Sequence, residues 1–367
     1  MKVIMTCGGT GGHIYPALAI ADTIKEHHPE AEIMFIGTPK GMENRIVPAN
    51  GYPIESVPAS GIKRKQIWKN FKTVKDAVQG YNKAKKIIKA FGPDLVFGTG
   101  GYVCGPVVRA ASSLGIRTAI HEQNAFPGVT NKMLAGKADE IFLSFEESRK
   151  YFKDGGSIHM VGNPLRKGFV LGDRQKAREN LGVGPDEMVI LCFGGSLGAP
   201  RINRVMLHLI DLYNGAEDVS VFFAPGKRHY DEVMKTLEEK PYKLDKNIRI
   251  YDYIENMPDY MVAADVIIGR AGALSLAEIT ACGKAALLIP SPYVSENHQF
   301  HNAKVLADRG AAFLFEEKDL TDEKAAEAIE SLRKDRGLLE KMGENSASLA
   351  MTAAAEEIYE GIKKYLV

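Results

Sequence analysis

Short apolar runs alternate with amphipathic segments along almost the whole chain. The apolar runs are rich in valine, isoleucine, leucine and phenylalanine, and they end at glycine or at polar residues. Between them lie segments such as "YPALAIADTIKEHH" and "LSLAEITACG", in which apolar residues recur every three or four positions. The first kind of run predicts β-strands and the second kind predicts helices. The alternation therefore predicts βαβ units, with parallel sheets covered by helices on both faces.

Ten apolar runs predict strands, five in each half of the chain. They are "KVIMTC", "EIMFIG", "DLVFGTG", "RTAIHEQ" and "EIFLS", then "MVILCFGG", "VSVFFAPG", "IRIYDYI", "DVIIGRAG" and "AALLIPSP". The series restarts after "HMVGNPLRKG", where a charged stretch follows. We therefore predict an α/β protein with two doubly wound, Rossmann-like domains, over residues 1–163 and 164–345. The periodicity of the helical tail, about 346–367, does not decide which domain it packs on.

Composition and charge exclude several classes of protein. A chain of 367 residues with 45% hydrophobic and 25% charged residues is typical of a soluble globular protein with about two domains. The net charge of +1 argues against a protein built mainly to bind nucleic acid. The four scattered cysteines favour reduced thiols over a disulfide or metal framework. No run has the roughly 20 apolar residues of a membrane span, and no signal peptide is recognisable, so we expect a cytoplasmic protein.

Each half begins with a strand, a glycine-rich turn and a helix. "CGGTGGH" follows the first strand, and "FGGSLGA" follows the first strand of the second half. Such turns let main-chain N–H groups approach a ligand, and the helix N-terminus favours phosphate or another oxygen-rich group. The first turn lacks the dinucleotide-binding spacing, because Ile14 stands where a third glycine would be needed, and neither turn has the lysine of a P-loop. We expect phosphate or sugar contacts at both turns; ordinary tight turns are the alternative.

Two side chains in these turns are candidates for catalysis. His13 opens the first helix at the carboxyl edge of the predicted sheet, where ligands bind in such folds. An imidazole titrates near neutral pH, as a general base must, although a core histidine would also fit. Ser196 lies in "GGSLG", which fits the G-x-S-x-G nucleophile elbow of hydrolases, with histidines downstream. A serine hydroxyl beside a bound diphosphate explains the same residue, so both interpretations stay open at this point.

Seven segments taken together resemble one family of enzymes. They are "GGTGGHIYPALA", "GTGGYVCGPVV", "IHEQNAFPGVTNK", "GNPLR", "GGSLGAPRIN", "RAGALSLAEI" and "PSPYVSENHQFHNA", in order over residues 1 to about 310. As a set they are similar to the MurG-type enzymes, the peripheral-membrane N-acetylglucosaminyltransferases of bacterial peptidoglycan synthesis. The resemblance implies the B-type glycosyltransferase fold, in which two domains face each other across a cleft. It also implies that the C-terminal helix packs back on the first domain.

The resemblance further implies a reaction and its substrates. Enzymes of this family move N-acetylglucosamine from UDP-N-acetylglucosamine to the C4 hydroxyl of undecaprenyl-diphosphate-MurNAc-pentapeptide (lipid I), with inversion, and so form lipid II. A UDP-sugar transferase that makes glycolipid from diacylglycerol is the nearest alternative. A UDP-sugar epimerase, the serine hydrolase and a non-enzymatic membrane scaffold are more distant ones.

Site residues follow from the positions that match the family motifs. Expected donor contacts are Thr10, Gly11, Gly12, Asn124 and Gln299 at the sugar or phosphate region, Arg166 and Ser196 at the diphosphate, Ile254 at the uracil and Glu278 at the ribose hydroxyls. On the acceptor side the matching positions are His13, Tyr102 and Glu122. We expect His13 to be the base that takes the proton of the acceptor hydroxyl, with Glu122 as the second candidate.

The chemistry of glycosyl transfer predicts that no protein-bound metal is obligatory. The departing diphosphate carries negative charge, which many nucleotide-sugar enzymes compensate with a metal held by an Asp-x-Asp pair. The sequence contains no Asp-x-Asp. The helix after "GGSLGA", the Ser196 hydroxyl and Arg166 supply a positive end and hydrogen bonds instead. We therefore expect no cofactor.

Residues 61–90 form a basic, partly apolar segment with ten Lys or Arg residues and one acid, Asp76. Apolar residues recur in it at three- and four-residue steps, with the only tryptophan beside them: Ile67, Trp68, Phe71, Val74, Val78 and Tyr81. The stripe either faces the core or forms a rim that anionic lipid attracts. With the second interpretation, we expect peripheral attachment to the cytoplasmic face of the cell membrane. A nucleic-acid partner is not expected, because aromatic platforms and an overall basic charge are missing.

Overall fold

The structure, a computed structural model, describes residues 1–61, 70–152, 155–170, 172–195, 198–294 and 297–366. The chain divides into two compact units. Unit 1 comprises Met1–Arg166 together with Met351–Val367, and unit 2 comprises Lys167–Ala350. The division after Arg166 lies close to the boundary that the sequence predicts at residue 163. The C-terminal segment returns to unit 1 from Met351 onward.

Each unit contains one parallel sheet. The strands of unit 1 are β1 (Lys2–Cys7), β2 (Glu32–Gly37), β3 (Ile54–Ser56), β4 (Leu95–Gly100), β5 (Arg117–Glu122), β6 (Glu140–Leu143) and β7 (Ser157–Met160), in the order β3-β2-β1-β4-β5-β6-β7. The strands of unit 2 are β8 (Met188–Phe193), β9 (Val219–Ala224), β10 (Ile248–Ile250), β11 (Val266–Gly269), β12 (Ala285–Leu288) and β13 (Ala312–Leu314), in the order β10-β9-β8-β11-β12-β13. Strand order reverses beside β1 and beside β8, and ligands bind at such switch points, outside the carboxyl ends of the strands.

Helices connect the strands in both units. In chain order they are α1 (Gly11–His27), α2 (Glu43–Ala49), α3 (Asn70–Phe91), α4 (Cys104–Ser113), α5 (Val129–Leu134), α6 (Lys167–Val170), α7 (Arg174–Leu181), α8 (Pro200–Tyr213), α9 (Tyr230–Glu238), α10 (Met257–Ala263), α11 (Ala273–Ala281), α12 (His298–Asp308), α13 (Asp322–Lys334), α14 (Arg336–Ala347) and α15 (Ala354–Ile362). Short 3₁₀ helices cover Ala135–Lys137, Glu146–Tyr151 and Lys363–Tyr365. The predicted α/β class with two doubly wound, Rossmann-like domains is confirmed.

All ten predicted runs contain strands, and three further strands were missed. The missed strands, β3, β7 and β13, each lie at the edge of a sheet. They are three or four residues long, and most of their residues are only partly buried. An edge strand has one unpaired side and less surface to bury, so it lacks the long apolar run that marks the central strands.

The first sheet carries a core on each face. Val3 and Met5 of β1 pack with α1 on one face, while Ile4 packs with α3 and α4 on the other. Helix α15 belongs to the α1 side, where Ile358 and Ile362 are fully buried. Burial of such a side chain contributes about 1.5–3 kcal/mol. These contacts explain why the C-terminal helix clusters with unit 1.

The sheet of unit 2 is covered in the same way. Met188 and Ile190 of β8 pack with α8 and α13 on one face. Val189 and Leu191, the alternate residues of the same strand, pack with α10, α11 and α12 on the other. Strands β1 and β8 are therefore both central and buried on both faces, and each is followed directly by a glycine-rich turn. The two turns occupy equivalent positions in their units.

Candidate active site

The first glycine-rich turn, residues 8–12, joins β1 to α1. Helix α1 begins after Thr10, whose main-chain oxygen accepts from the N–H groups of His13 (3.1 Å) and Ile14 (3.3 Å). The exposed Thr10 side chain makes no capping hydrogen bond, and no acid lies in the first turn of the helix. The helix therefore begins without an internal side-chain cap, and its start together with the Thr10 hydroxyl is suited to a polar ligand. Gly11 and Gly12 keep this start open to close approach.

A buried carboxylate lies beneath this turn. Glu43 of α2 is fully buried. Its Oε2 accepts from the N–H of Gly9 at 3.3 Å, and its Oε1 accepts from the N–H and the hydroxyl of Thr38 at 2.8 and 2.6 Å. A Cβ on Gly37 would lie 2.6 Å from Glu43 Cγ, and one on Gly41 would lie 2.1 Å from its Oε1. These glycines leave the space that the carboxylate fills, and the carboxylate fixes the turn.

His13 is held at the start of α1 by two acceptors. Its Nδ1 lies 3.1 Å from the Thr99 main-chain oxygen and 3.1 Å from Oε1 of Gln123. Because both partners accept, Nδ1 carries the proton and Nε2 is the basic nitrogen of the neutral ring. A Cβ on Gly100, which has a φ of +114°, would lie 2.5 Å from Nδ1. The glycine after Thr99 is thus needed for the approach of the imidazole.

Glu122, the second candidate for the base, organises the loop between β5 and α5. Its side chain is 1% exposed. Oε1 accepts from the N–H and the Nδ2 of Asn124, both at 3.0 Å, and Oε2 accepts from the N–H of Gly128 (3.0 Å) and Nδ2 of Asn131 (2.9 Å). A carboxylate offers about four acceptor positions, and four donors occupy them here. These hydrogen bonds hold Asn124 and the rest of the loop in place, and they occupy the oxygens that a base would need.

Tyr102 and Arg166 both lie in unit 1. Tyr102, between β4 and α4, is 59% exposed, and a Cβ on Gly61 would lie only 2.4 Å from its ring. The Arg166 guanidinium lies 5.0 Å from the ring centroid of Tyr15, which is on α1 just after His13. This cation–π contact anchors Arg166 beside the first turn of α1.

The second glycine-rich turn, residues 194–198, joins β8 to α8. Ser196 and Leu197 lie outside the described residues. Gly198 has a φ of +75°, and a Cβ on it would lie 2.2 Å from the Pro225 oxygen. Helix α8 begins with Pro200, has no acid in its first turn and has no side-chain cap at Ala199. This helix start presents its dipole and N–H groups to an anion.

The other predicted donor contacts lie in unit 2. Ile254 is 5% exposed and belongs to the core, so its main chain is the part that can pair with a base. Glu278, on α11, is 9% exposed, which makes it a buried carboxylate and not a solvated one at the helix surface. Gln299, on α12, accepts from the N–H of Ser291 at 2.9 Å through Oε1, so its Nε2 is the donor end.

Sequence reasoning missed several residues that shape these sites. Besides Glu43, they include Thr99 and Gln123 in unit 1 and Arg270 in unit 2. Arg270 donates through Nη1 to the main-chain oxygens of Ile289 (3.0 Å) and Pro290 (3.2 Å), and so holds the loop before α12. Gln123 has a signal in the sequence: it is a polar residue two positions after His121, so the two side chains are on the same face of the run that contains β5. The others have none, since the residues that they hold in these sites, Gly9 for Glu43, Gln123 for Thr99 and Ile289 for Arg270, lie 34, 24 and 19 positions away.

The described part of the basic segment is the helix α3. Val74 and Val78 are 62% and 57% exposed, whereas Ala84 and Ile88 are buried. The interpretation in which the whole stripe faces the core is therefore wrong for these two valines. Ile67 and Trp68 lie outside the described residues, and nothing is described of the Phe71 side chain.

The described residues contain neither a membrane-spanning helix nor a metal cluster. No helix there is long and apolar enough to cross a bilayer, and no group of three or more His, Cys, Asp or Glu side chains is placed to hold a metal ion. The four cysteines are free thiols. Burial raises the pKa of the Cys104 thiol to about 12, so it stays protonated at neutral pH.

Comparison with known proteins identifies the family. Residues 3–143 match the glycosyltransferase family 28 N-terminal domain, and residues 189–358 match the glycosyltransferase family 28 C-terminal domain. The chain is 46% identical over 363 residues to the "UDP-N-acetylglucosamine--N-acetylmuramyl-(pentapeptide) pyrophosphoryl-undecaprenol N-acetylglucosamine transferase" of Acetivibrio thermocellus, covering 99% of this chain and 98% of that protein. It is 44% identical over 368 residues to the enzyme of the same name from Desulforamulus reducens, covering 100% and 99%.

A solved structure agrees with these relatives. The crystal structure of Acinetobacter baumannii MurG matches with a TM-score of 0.77 and 31% identity, and the match covers 99% of both chains. The motifs that suggested this family therefore occur in a chain that also matches its two domain models and its fold. The chain belongs to the MurG family of glycosyltransferases, within glycosyltransferase family 28.

Proposed function

We propose that this protein transfers N-acetylglucosamine from UDP-N-acetylglucosamine to the C4 hydroxyl of lipid I, forming lipid II for peptidoglycan synthesis. The observation that carries the proposal is the 46% identity, over 99% of the chain, to a protein named for this transfer. The geometry around His13 supports the same chemistry, because two acceptors hold its Nδ1 at the first glycine-rich turn and leave Nε2 as the nitrogen that can act as a base.

In this mechanism His13 acts as the general base. Nε2 takes the proton of the acceptor C4 hydroxyl while the oxygen bonds to the anomeric carbon of the donor. The bond between that carbon and the diphosphate oxygen breaks, and UDP leaves as an anion. Attack on the face opposite the leaving group inverts the anomeric centre. One base is sufficient, because UDP is a stable leaving group that needs no proton from the protein.

The donor nucleotide is assigned to unit 2. The main chain of Ile254 pairs with uracil, and the buried Glu278 accepts hydrogen bonds from the two ribose hydroxyls. The diphosphate lies at the start of α8, with the Ser196 hydroxyl and Arg166 as further donors, and Gln299 binds the donor sugar. Of the two alternatives for Thr10, Gly11 and Gly12, the donor sugar or the phosphate region, these residues of unit 1 are assigned to the donor sugar, as is Asn124. Because a helix start and hydrogen bonds compensate the leaving charge, the transfer needs no obligatory protein-bound metal.

Attachment to the cytoplasmic face of the membrane is assigned to α3 and Tyr102. Val74, Val78 and Tyr102 expose apolar surface. They lie near one another, because the Thr73 hydroxyl donates to the Gly61 oxygen at 3.2 Å and the Tyr102 ring packs on the same glycine. Lysines on the exposed side of α3 add about 1 kcal/mol each near an anionic surface. Co-sedimentation with anionic vesicles should weaken when salt is added and in a Val74→Ser, Val78→Ser double variant. Binding that changes with neither salt nor lipid charge would rule out this surface as the membrane-binding site.

The reaction itself is tested with UDP-sugars and a short-chain lipid I analogue. UDP release is expected only when both UDP-N-acetylglucosamine and the muramoyl lipid are present, with formation of the disaccharide product. UDP release with diacylglycerol in place of the muramoyl lipid would indicate the glycolipid-forming transferase. Conversion of the donor to its epimer without an acceptor would indicate a UDP-sugar epimerase, and ester cleavage would indicate a serine hydrolase.

A further inference from the structure

A chain of hydrogen bonds leads from His13 into the interior of unit 1. Nδ1 of His13 faces Oε1 of Gln123 at 3.1 Å, and Nε2 of Gln123 faces Nδ1 of His121 at 2.9 Å. Nε2 of His121 lies 2.9 Å from the Gly162 main-chain oxygen. Gln123 is 2% exposed and His121 is fully buried. The chain therefore runs through a region from which bulk water is excluded.

The direction of each hydrogen bond follows from the main-chain carbonyls at its two ends. The Gly162 oxygen can only accept, so Nε2 of His121 carries the proton and its Nδ1 accepts from the Gln123 amide. The Thr99 oxygen lies 2.5 Å from Nε2 of Gln123 and can also only accept. The amide nitrogen of Gln123 must therefore face Thr99 and His121, and its oxygen must face His13. A flipped amide would place its oxygen against the Thr99 oxygen.

The neutral form of His121 is also fixed by its surroundings. Burial lowers the pKa of His121 to about 4, although the hydrogen bond to the Gly162 carbonyl opposes this shift. At neutral pH the ring therefore has a single proton, on Nε2. Ser144 Oγ lies 3.0 Å from the same nitrogen and adds a second partner there.

We propose that Gln123 is a positioning residue that acts together with the Thr99 oxygen: held by Thr99 and by the fixed tautomer of His121, it keeps the proton of His13 on Nδ1, so that Nε2 is the base for the acceptor hydroxyl. An unconstrained neutral imidazole can carry its proton on either nitrogen. A ring with the proton on Nε2 cannot accept a second proton at that atom as a neutral base. This inference rests on the proposed role of His13, and it adds Gln123 and His121 to the machinery that makes that role possible.

The tautomer can be observed directly by NMR of the full-length protein with ¹⁵N-labelled histidine, since protonated and unprotonated ring nitrogens have well-separated shifts. Signals are assigned with His13→Ala and His121→Gln. In the wild-type protein we expect the proton on Nδ1 of His13 and on Nε2 of His121. In Gln123→Met the Thr99 oxygen remains as an acceptor for Nδ1, so the His13 signals are expected to shift partly toward the Nε2-protonated form. The kcat should fall several-fold, while the KM for UDP-N-acetylglucosamine stays within about twofold.

Two further variants separate tautomer control from a general loss of structure. Gln123→Glu keeps an oxygen facing Nδ1 of His13 but replaces the donor to the Thr99 oxygen and to Nδ1 of His121 with a second oxygen. The His13 proton should therefore stay on Nδ1 as in the wild type, while the His121 signals change. Thr118→Val is the matched control on the same strand, because it removes a buried hydrogen bond to the Lys137 oxygen (2.8 Å) without touching the chain of hydrogen bonds. Its His13 signals and kcat should stay close to wild type.

The outcomes distinguish this inference from the proposed function. A wild-type spectrum with Nε2 of His13 protonated, or a Gln123→Met protein with unchanged His13 signals and unchanged kcat, would overturn the role of Gln123. If His13→Ala retained nearly full kcat, the proposed base would be wrong, whatever the spectra show. If Gln123→Met did not fold, the wild-type spectrum and Gln123→Glu would still decide.

Discussion

The two glycine-rich turns occupy equivalent places in their units but differ in their electrostatic surroundings. Each follows a central strand, β1 or β8, and precedes a helix without an acid in its first turn. Beneath the first turn lies the buried carboxylate of Glu43, which accepts from the N–H of Gly9. Among the described residues of the second turn, Gly194, Gly195 and Gly198, no carboxylate accepts from a main-chain N–H.

This difference indicates different tasks for the same strand–turn–helix device. A phosphate at Gly9 would compete with Glu43 for the same N–H group and be repelled by its charge. The first turn instead adjoins an imidazole with a fixed tautomer, which suits activation of a neutral hydroxyl. The second turn, with the start of α8 behind it, suits the diphosphate. The sequence predicted two equivalent phosphate-ready turns, and the structure distinguishes them.

The largest expected effect comes from removing the carboxylate beneath the first turn. Glu43→Ala leaves three donors without their acceptor and opens a cavity, so the free energy of unfolding should fall by about 4 kcal/mol. Urea unfolding measures this loss, and calorimetry should show UDP affinity little changed because the nucleotide is assigned to unit 2. Glu55→Ala, on the exposed side of β3, is the control and should stay within about 0.5 kcal/mol of wild type. Equal losses in the two variants would contradict a supporting role for Glu43.

The histidine behind the first turn should make the protein sensitive to acid. The pKa of His121 is about 4 in the folded protein against an ordinary value of 6.5, so the unfolded chain binds the extra proton between these values. The contribution of neutral His121 to the free energy of unfolding is therefore fully present above about pH 6.5. It is lost as the pH falls toward 4, by about 3 kcal/mol in total. Urea unfolding from pH 7 to 4 should show a smaller loss for His121→Gln than for wild type. Identical slopes would contradict the burial of a neutral imidazole there.

Removing the proposed base should affect turnover and not donor binding. We expect His13→Ala to lower kcat about 100-fold, equivalent to about 2.7 kcal/mol, with unchanged affinity for UDP. His27→Ala is the matched control, because it lies on the same helix but stacks on Tyr359, with ring centroids 4.0 Å apart, at the other end. A fall of only a few-fold in His13→Ala would return the role of base to Glu122.

The smallest effect is expected from a methyl group in the second turn. Gly198→Ala adds a Cβ 2.2 Å from the Pro225 oxygen at a φ of +75°, so the turn must shift. We expect UDP affinity, measured by calorimetry, to fall about tenfold, or about 1.4 kcal/mol. Gly195→Ala is the comparison, because Gly195 has a similar φ of +82° but no atom lies within 4 Å of the added Cβ. It should lower the free energy of unfolding by only about 1 kcal/mol through backbone strain. If both variants bound UDP as wild type does, the second turn would not be the diphosphate site.

Much of the fold could be predicted from the sequence because its signals are local. Apolar runs marked every strand that is buried on both sides, and glycine clusters marked the two turns. The edge strands β3, β7 and β13 escaped because an edge strand buries less and needs fewer apolar residues, whereas the edge strand β10 was predicted from its apolar run. Helical periodicity in residues 61–90 was also ambiguous, since an apolar stripe looks the same whether it faces a core or, as at Val74 and Val78, the solvent.

Candidate site residues could be named from the sequence only where they stand inside motifs. His13 and Glu122 could be named, but their partners could not, because Gln123 is 110 positions from His13 and Glu43 is 34 from Gly9. Such pairs form only when the sheet brings distant strands side by side. The preference for His13 over Glu122 as the proposed base likewise rests on coordinates, because only the hydrogen bonds show that Glu122 has its acceptor positions filled within its own loop.

A crystal structure of the protein with UDP tests the division of tasks between the two turns most directly. The diphosphate is expected at Gly198 and the start of α8, with the ribose hydroxyls on Glu278 and the uracil at the Ile254 main chain. A diphosphate bound instead at residues 8–12, above Glu43, would contradict the account.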